Sequence, residues 1–106
     1  HAPISDQQWE VRFLKDRTSF WNEGTEMGHC LGRRGGPSIS ADRLYGSVYF
    51  EGKHIGTALY AGHDDQWGLS EAHGKFNRPL SEQELRALRT LAERIRLPDY
   101  RRRGRP

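Results

Sequence analysis

The chain has 106 residues, which is enough for one hydrophobic core but too few for two independent domains. Apolar residues make up only 34%, yet three Trp, four Tyr and four Phe supply the ring area for a small core. No apolar stretch approaches the roughly 20 residues of a membrane span, and one cysteine excludes an internal disulfide. We therefore expect a cytoplasmic domain with no membrane partner and no cofactor.

Positive charge is concentrated towards the end of the sequence. Residues 1–85 contain nine Lys or Arg against twelve Asp or Glu, whereas residues 86–106 contain eight Arg against two acids. This split is typical of an acidic body that carries a basic arm rather than of a uniformly basic protein. We expect residues 1–97 to form a single α+β domain and residues 98–106 to form a basic flexible tail.

The first third of the chain gives weak signals. Residues 8–14 alternate apolar and polar side chains, which predicts a strand, although the polar residues before them leave a helix open as the alternative. Ser19–Cys30 is typical of one or two short helical turns broken at Gly24 and Gly28. Residues 33–40 are rich in Gly, Pro and Ser, which predicts a loop.

The middle of the chain predicts a β-meander. Leu44–Glu51 and Lys53–Tyr60 are rich in Tyr, Val, Ile and Thr, with Gly52 at the turn between them. A second turn over Ala61–Asp65 leads to a third strand over Gln66–His73. The two-residue period of a strand then puts four of its side chains on one face: Trp67, Leu69, Glu71 and His73.

The clearest element is a helix over residues 82–96. Ser81 and Glu84 form a capping box at its start, and Pro98 follows its end. Apolar residues then recur every three or four positions and make one stripe: Leu85, Leu88, Leu91, Ala92 and Ile95. The fold class predicted is α+β, with an antiparallel sheet of three to four strands and this C-terminal helix packed on one face.

Two polar segments resemble a known family. An E-G-x-x-M-x-H-C-L-G segment precedes the hairpin, and a W-x-L-x-E-x-x-G-x-x-N segment follows it. Together they resemble the PcfJ-like family of conjugative plasmids and phages, from about Trp21 to Asn77. The residues concerned are Glu23, Gly24, Met27, His29, Cys30, Leu31, Gly32, Trp67, Glu71, Gly74 and Asn77. The resemblance implies a mobile-element context but no particular reaction.

His29, Glu71 and Asn77 are the candidate catalytic residues. A carboxylate can orient an imidazole for acid–base chemistry, and an amide can hold a carbonyl or phosphate oxygen. The alternative is that His29 and Asn77 are structural polar groups, satisfied by backbone where the chain turns. Cys30 is better explained as a small buried side chain than as a nucleophile. The His and Cys spacing fits no standard zinc pattern, so no metal site is expected.

The C-terminal arginines are the candidate nucleic-acid contacts. Guanidinium groups match phosphate geometry and stack on bases, so a cluster made of Arg alone favours nucleic acid as the partner. The residues are Arg94, Arg96, Arg101, Arg102, Arg103 and Arg105. The alternative is that this segment is the start of a linker to the rest of a longer protein.

The function predicted from the sequence is a nucleic-acid-associated module of a plasmid, phage or other mobile element. Its phosphate contacts would come from the C-terminal Arg cluster. The sequence contains no helix-turn-helix, zinc-finger or RNA-recognition signature, so it predicts no sequence-specific reading. Two alternatives stay open: a small enzyme with His29, Glu71 and Asn77 in a cleft, and a protein-interaction module without catalysis.

Overall fold

The computed structural model describes residues 2–28, 42–63 and 66–95 of the chain. The described residues form one antiparallel sheet with a helix on each of its faces. The strands are β1 (Ile4–Ser5), β2 (Trp9–Phe13), β3 (Arg43–Phe50), β4 (Lys53–His63) and β5 (Gln66–Gly74). The helices are α1 (Arg17–Met27) and α2 (Glu82–Leu91), with 3₁₀ turns at Lys75–Asn77 and Ala92–Arg94.

The five strands lie in the order β1-β2-β3-β4-β5, and every neighbouring pair is antiparallel. The predicted α+β class is confirmed, and so is the antiparallel sheet. The sheet has one more strand than the three to four expected, because β1 pairs only Ile4 and Ser5 with β2. Two residues are too few to show a period in the sequence.

The predicted strand over residues 8–14 is confirmed as β2, whose burial alternates as its sequence does. β3 and β4 meet at a two-residue turn in which Glu51 has φ 50° and Gly52 has φ 82°. Positive φ at both positions is the type I′ geometry that suits the right-handed twist of a hairpin. β4 continues to His63 and β5 begins at Gln66, so the second turn is shorter than predicted.

β5 contains an irregularity that overturns one sequence prediction. Tyr60 pairs with Leu69 and Leu59 pairs with Glu71, so Ser70 is an extra residue on β5. Such a bulge reverses the alternation beyond it. Trp67 and Leu69 therefore lie on one face of the sheet, while Glu71 and His73 lie on the other. The prediction that these four share a face is wrong, because a uniform two-residue period assumes a strand without a bulge.

The first face of the sheet packs against α2 and forms the apolar core. The α2 residues Leu88 and Leu91 are fully buried against it, and the Tyr60 hydroxyl donates a 2.7 Å hydrogen bond to the carbonyl of Leu88. The sheet residues of this core include Trp9, Val11, Phe13, Val48, Ala58, Tyr60 and Ala72. Burial of apolar side chains is the main favourable term in the folding of such a domain.

The capping box of α2 is confirmed, but the helix is shorter than predicted. The Ser81 hydroxyl accepts from the Glu84 amide at 3.1 Å, and the Glu84 carboxylate accepts from the Ser81 amide at 2.8 Å. The α-helix ends at Leu91, a 3₁₀ turn follows, and Ile95 has extended backbone angles. Ile95 is nevertheless buried in the core, although it lies beyond the end of the helix. No helix in the described ranges is both long and apolar enough to cross a membrane.

The second face of the sheet packs against α1. This helix runs through Gly24 without a break and ends at Gly28, which has φ 68°. The predicted break at Gly24 is therefore wrong, and the predicted break at Gly28 is correct. Gly24 is buried, whereas Gly28 takes the left-handed C-cap position that favours glycine. Tertiary packing outweighs the roughly 1 kcal/mol that a glycine costs inside a helix.

Candidate functional site

A buried carboxylate lies between α1 and the sheet. Glu23 is only 3% exposed, and its side chain points at β3 and β4. Ser47 donates a 2.5 Å hydrogen bond to Oε1, and the Thr57 hydroxyl donates to Oε2. Ser47 and Thr57 are cross-strand partners, so adjacent strands present both hydroxyls together. Each of these donors offsets part of the cost of removing the carboxylate from water.

His54 completes this cluster from the start of β4. Its Nε2 lies 3.0 Å from Oε2 of Glu23, and its side chain is 7% exposed. Burial alone would lower the pKa of His54, but the hydrogen bond to Glu23 and the nearby Glu26 carboxylate raise it from 6.5 to about 9. His54 is therefore an imidazolium at neutral pH, and its positive charge balances the charge of Glu23.

The second ring nitrogen of His54 is less well placed. Nδ1 lies 3.0 Å from Oε1 of Glu26, on the exposed side of α1. The two groups are out of line for a hydrogen bond, so Nδ1 is a buried donor without an aligned acceptor among the described residues. The imidazole ring stacks on the Tyr49 ring of β3, with 4.9 Å between the ring centres. The guanidinium of Arg12, on β2, lies 4.2 Å from the centre of the Tyr49 ring.

The arrangement fastens α1 to the sheet rather than presenting a reactive group. Both oxygens of Glu23 accept hydrogen bonds from buried donors, and Nε2 of His54 is hydrogen-bonded to the same carboxylate. A general base or nucleophile must have a free atom facing the substrate. We name these four residues, Glu23, Ser47, His54 and Thr57, the Glu23 cluster.

A second unusual feature is the loop that follows β5. The Gly74 amide donates to the Arg78 carbonyl at 2.7 Å, and the Arg78 amide donates to the Lys75 carbonyl at 3.1 Å. Between these bonds Phe76 has φ 57° and Asn77 has φ 60°. Asn tolerates this left-handed region, but Phe is rarely found there. The loop is therefore closed by backbone bonds and holds a bulky residue in an uncommon conformation.

Phe76 rests against the end of α1 while its ring stays open to solvent. A Cβ atom at position 28 would overlap the Phe76 ring, so only glycine fits beneath it. The Phe76 residue is nevertheless 72% exposed. Lys75, Asn77 and Arg78 around it are exposed as well. We name Lys75, Phe76, Asn77 and Arg78 the basic–aromatic loop.

The predicted catalytic residues lie in three different settings. His29 is outside the described residues. Glu71 is exposed on the second face of the sheet, where it pairs with Leu59. Asn77 is exposed in the basic–aromatic loop. The loop lies against Gly28 at the end of α1. Whether the three side chains act together stays a prediction.

Of the predicted nucleic-acid contacts, only Arg94 belongs to the described part of the chain. It is exposed and forms no ion pair with a described residue, and the same holds for Arg86 on α2. By contrast, Arg89 pairs with Glu82 at 3.0 Å. The other predicted contacts lie outside the described residues: Arg96, Arg101, Arg102, Arg103 and Arg105.

A groove of about 570 Å³ lies between α2 and the end of the β2–β3 pair. The Trp9 and Phe50 rings, 4.7 Å apart, form part of its wall, and Gln83 and Arg86 line it from the helix. Of the described residues, neither a histidine nor Glu71 or Asn77 lines this groove. Among residues 2–28, 42–63 and 66–95, no cluster of three or more metal-ligating side chains is present.

Sequence reasoning missed the Glu23 cluster, although a signal for it exists. Once α1 is known to be continuous, Phe20, Glu23 and Met27 follow helical spacing, and all three are buried. A carboxylate in the middle of an apolar stripe requires buried donors on the facing element. Ser47 and Thr57 supply them from adjacent strands.

No family model matches the chain, and no curated protein or solved structure shows a significant match to it. The comparisons therefore supply no relative from which a role for Glu23, His54 or Phe76 could be transferred. The function is therefore inferred from the geometry, the charge and the sequence motifs of this chain.

Proposed function

We propose that the chain is a nucleic-acid-binding module that contacts phosphates through arginines at its C-terminal end. The observation that carries this proposal is the charge distribution: eight of the seventeen basic residues follow Leu85, and all eight are Arg. Arg86 and Arg94 begin this series on the solvent side of the structure and are free of ion pairs with other described residues. Guanidinium groups that are not neutralised by the protein itself are available to phosphates.

The mobile-element context is part of the same proposal. It is supported by the resemblance of residues 21–77 to the PcfJ-like family, whose members come from conjugative plasmids and phages. A module that binds phosphates without reading bases suits elements that handle nucleic acid of many sequences. We therefore expect affinity for nucleic acid of mixed sequence rather than for one defined site.

The test is the salt dependence of binding. Binding to a mixed-sequence duplex and to a single strand would be followed by fluorescence anisotropy at several salt concentrations. Changing Arg101, Arg102, Arg103 and Arg105 together to Ala should flatten the plot of log K against log salt by up to about 3–4 units, because each lost phosphate contact contributes about 0.9 on duplex DNA. The unfolding midpoint should hardly change, because the core formed by the described residues is left intact by these changes.

A matched control removes the same charge elsewhere. Lys15, Arg17, Arg43 and Lys53 are exposed and lie outside the C-terminal series. Their joint change to Ala lowers the net charge by the same four units but should leave most of the salt slope intact. An equal loss in both variants would mean that net charge alone governs binding. The absence of binding by the wild-type chain at low salt would overturn the proposal.

A small enzyme is the second candidate function, favoured by one observation. The contact between Gly28 and Phe76 holds the loop that carries Asn77 against the end of α1. If His29, Glu71 and Asn77 act as acid–base and oxygen-binding groups in a cleft, the substrate in reach is the bound nucleic acid itself. Labelled strands incubated with the protein should then be cleaved, and His29→Ala and Asn77→Ala should each abolish cleavage. Intact strands after prolonged incubation with wild type would remove this candidate.

A further inference from the structure

Phe76 is an exposed aromatic residue on a loop that backbone hydrogen bonds close. Two rings of the described chain are largely open to solvent: Phe76 at 72% and Trp21 at 54%. Trp21 lies on the ordinary outer side of α1, where an exposed ring needs no explanation. Phe76 lies at the tip of a loop whose backbone bonds are 2.7 Å and 3.1 Å long, and Gly28 supports its edge.

The backbone conformation of Phe76 is unfavourable, so stability alone does not explain an exposed Phe at this position. Its φ of 57° and ψ of 35° are left-handed, a conformation that glycine adopts without cost and Phe does not. The ring is mostly exposed, so the small part of it that is buried offsets little of that cost. Strain without compensation in packing is characteristic of residues kept for binding.

The groups around the ring carry positive charge. Lys75 and Arg78 flank Phe76 and Asn77, and all four residues are exposed. The Lys75 ammonium lies 5.6 Å from the centre of the Phe76 ring, at the end of a flexible chain that a stacking group can displace. Among the described residues, the Arg78 guanidinium lies beside Gly74 and donates one long hydrogen bond, 3.5 Å, to the carbonyl of Pro79. Both cations are therefore available to phosphates beside the ring.

We propose that the basic–aromatic loop binds single-stranded nucleic acid, with a base stacked on Phe76 and phosphates held by Lys75 and Arg78. A fixed aromatic face with cations on either side is the arrangement that single-strand-binding proteins use. The bases of a duplex already stack on one another and offer no free face to a ring at a loop tip. This inference rests on the proposed function and adds to it a preference for single strands.

The test compares single and double strands for variants of the ring. Anisotropy would be measured with a labelled oligothymidylate and with a mixed-sequence duplex of the same length, at two salt concentrations. Phe76→Gly should weaken single-strand binding by roughly 5- to 150-fold, the range expected for the loss of one stacked base. Duplex affinity and the salt slope should stay the same, because the ring carries no charge. Phe76→Trp should bind single strands at least as well as wild type.

Two controls separate binding from folding. Phe76→Gly suits the left-handed backbone, so its thermal midpoint should equal or exceed that of wild type. Trp21→Ala removes the other exposed ring and should leave single-strand binding unchanged. If Phe76→Gly binds both strands as wild type does, the stacking inference is wrong while phosphate binding stands. If wild type binds no nucleic acid at low salt, the proposed function fails, and this inference fails with it.

Discussion

The two faces of the sheet are covered by helices that are held in different ways. α2 lies on the first face through an apolar stripe, with Leu88, Leu91 and Ile95 fully buried. α1 lies on the second face through Phe20 and Met27 and through the Glu23 cluster between them, in which a carboxylate and an imidazolium are buried together. The first attachment is apolar, whereas the second has a buried ion pair at its centre. We therefore expect the second to be more sensitive to single changes and to pH.

The largest effect is expected from removing the carboxylate of the Glu23 cluster. Glu23→Ala removes the carboxylate that accepts from the imidazolium of His54 and from the hydroxyls of Ser47 and Thr57. Breaking a buried ion pair in this way costs about 3–5 kcal/mol. Chemical denaturation would measure the loss. Glu26→Ala, which removes an exposed carboxylate one turn away, is the matched control and should cost much less.

A change in the α2 attachment should cost somewhat less. Leu88→Ala and Leu91→Ala each create a cavity in the core, and each should lower the free energy of unfolding by about 2–5 kcal/mol. The loss of unfolding free energy in these two variants should be independent of pH, unlike the loss caused by Glu23→Ala. A change below about half a kcal/mol at both sites would mean that α2 is not packed on the sheet.

The pH dependence of stability should follow His54. Its pKa is raised from 6.5 to about 9 in the folded protein. The folded state thus binds the proton more tightly, and its contribution is complete below pH 6.5 and lost as the pH rises through about 9. The unfolding free energy should fall by up to about 3 kcal/mol across this window. His54→Gln should abolish this fall. An unchanged fall in that variant would assign it to another group.

The smallest effect is expected at the β3–β4 turn, which neither helix covers. Glu51 has φ 50° in a type I′ turn, a position where Asn is preferred. Glu51→Asn should therefore raise the free energy of unfolding by about 0.5 kcal/mol without altering either helix attachment. Glu51→Ala keeps the unfavourable φ and should show no gain. Thermal denaturation of the two variants would distinguish them.

The sequence predicted the elements whose formation depends on residue periodicity and on hydrogen bonds between nearby residues. α2 was predictable because Ser81 and Glu84 cap each other and the apolar stripe repeats every three or four residues. β2 was predictable because Trp9, Val11 and Phe13 alternate with polar residues. Each of these signals is contained within a few consecutive residues, so no distant partner is needed to interpret it.

The tertiary structure decided what depends on two distant segments meeting. The bulge at Ser70 places Glu71 on the sheet face opposite to the one predicted. Packing against the sheet keeps α1 helical through Gly24. Phe20, Glu23 and Met27 form a stripe only if that helix is continuous, and the donors to Glu23 lie 24 to 34 residues further along the chain. Phe76 likewise became a candidate site only through its left-handed backbone and its support by Gly28. Local sequence fixes which side chains are present, but burial and charge pairing between distant segments fix what those side chains do.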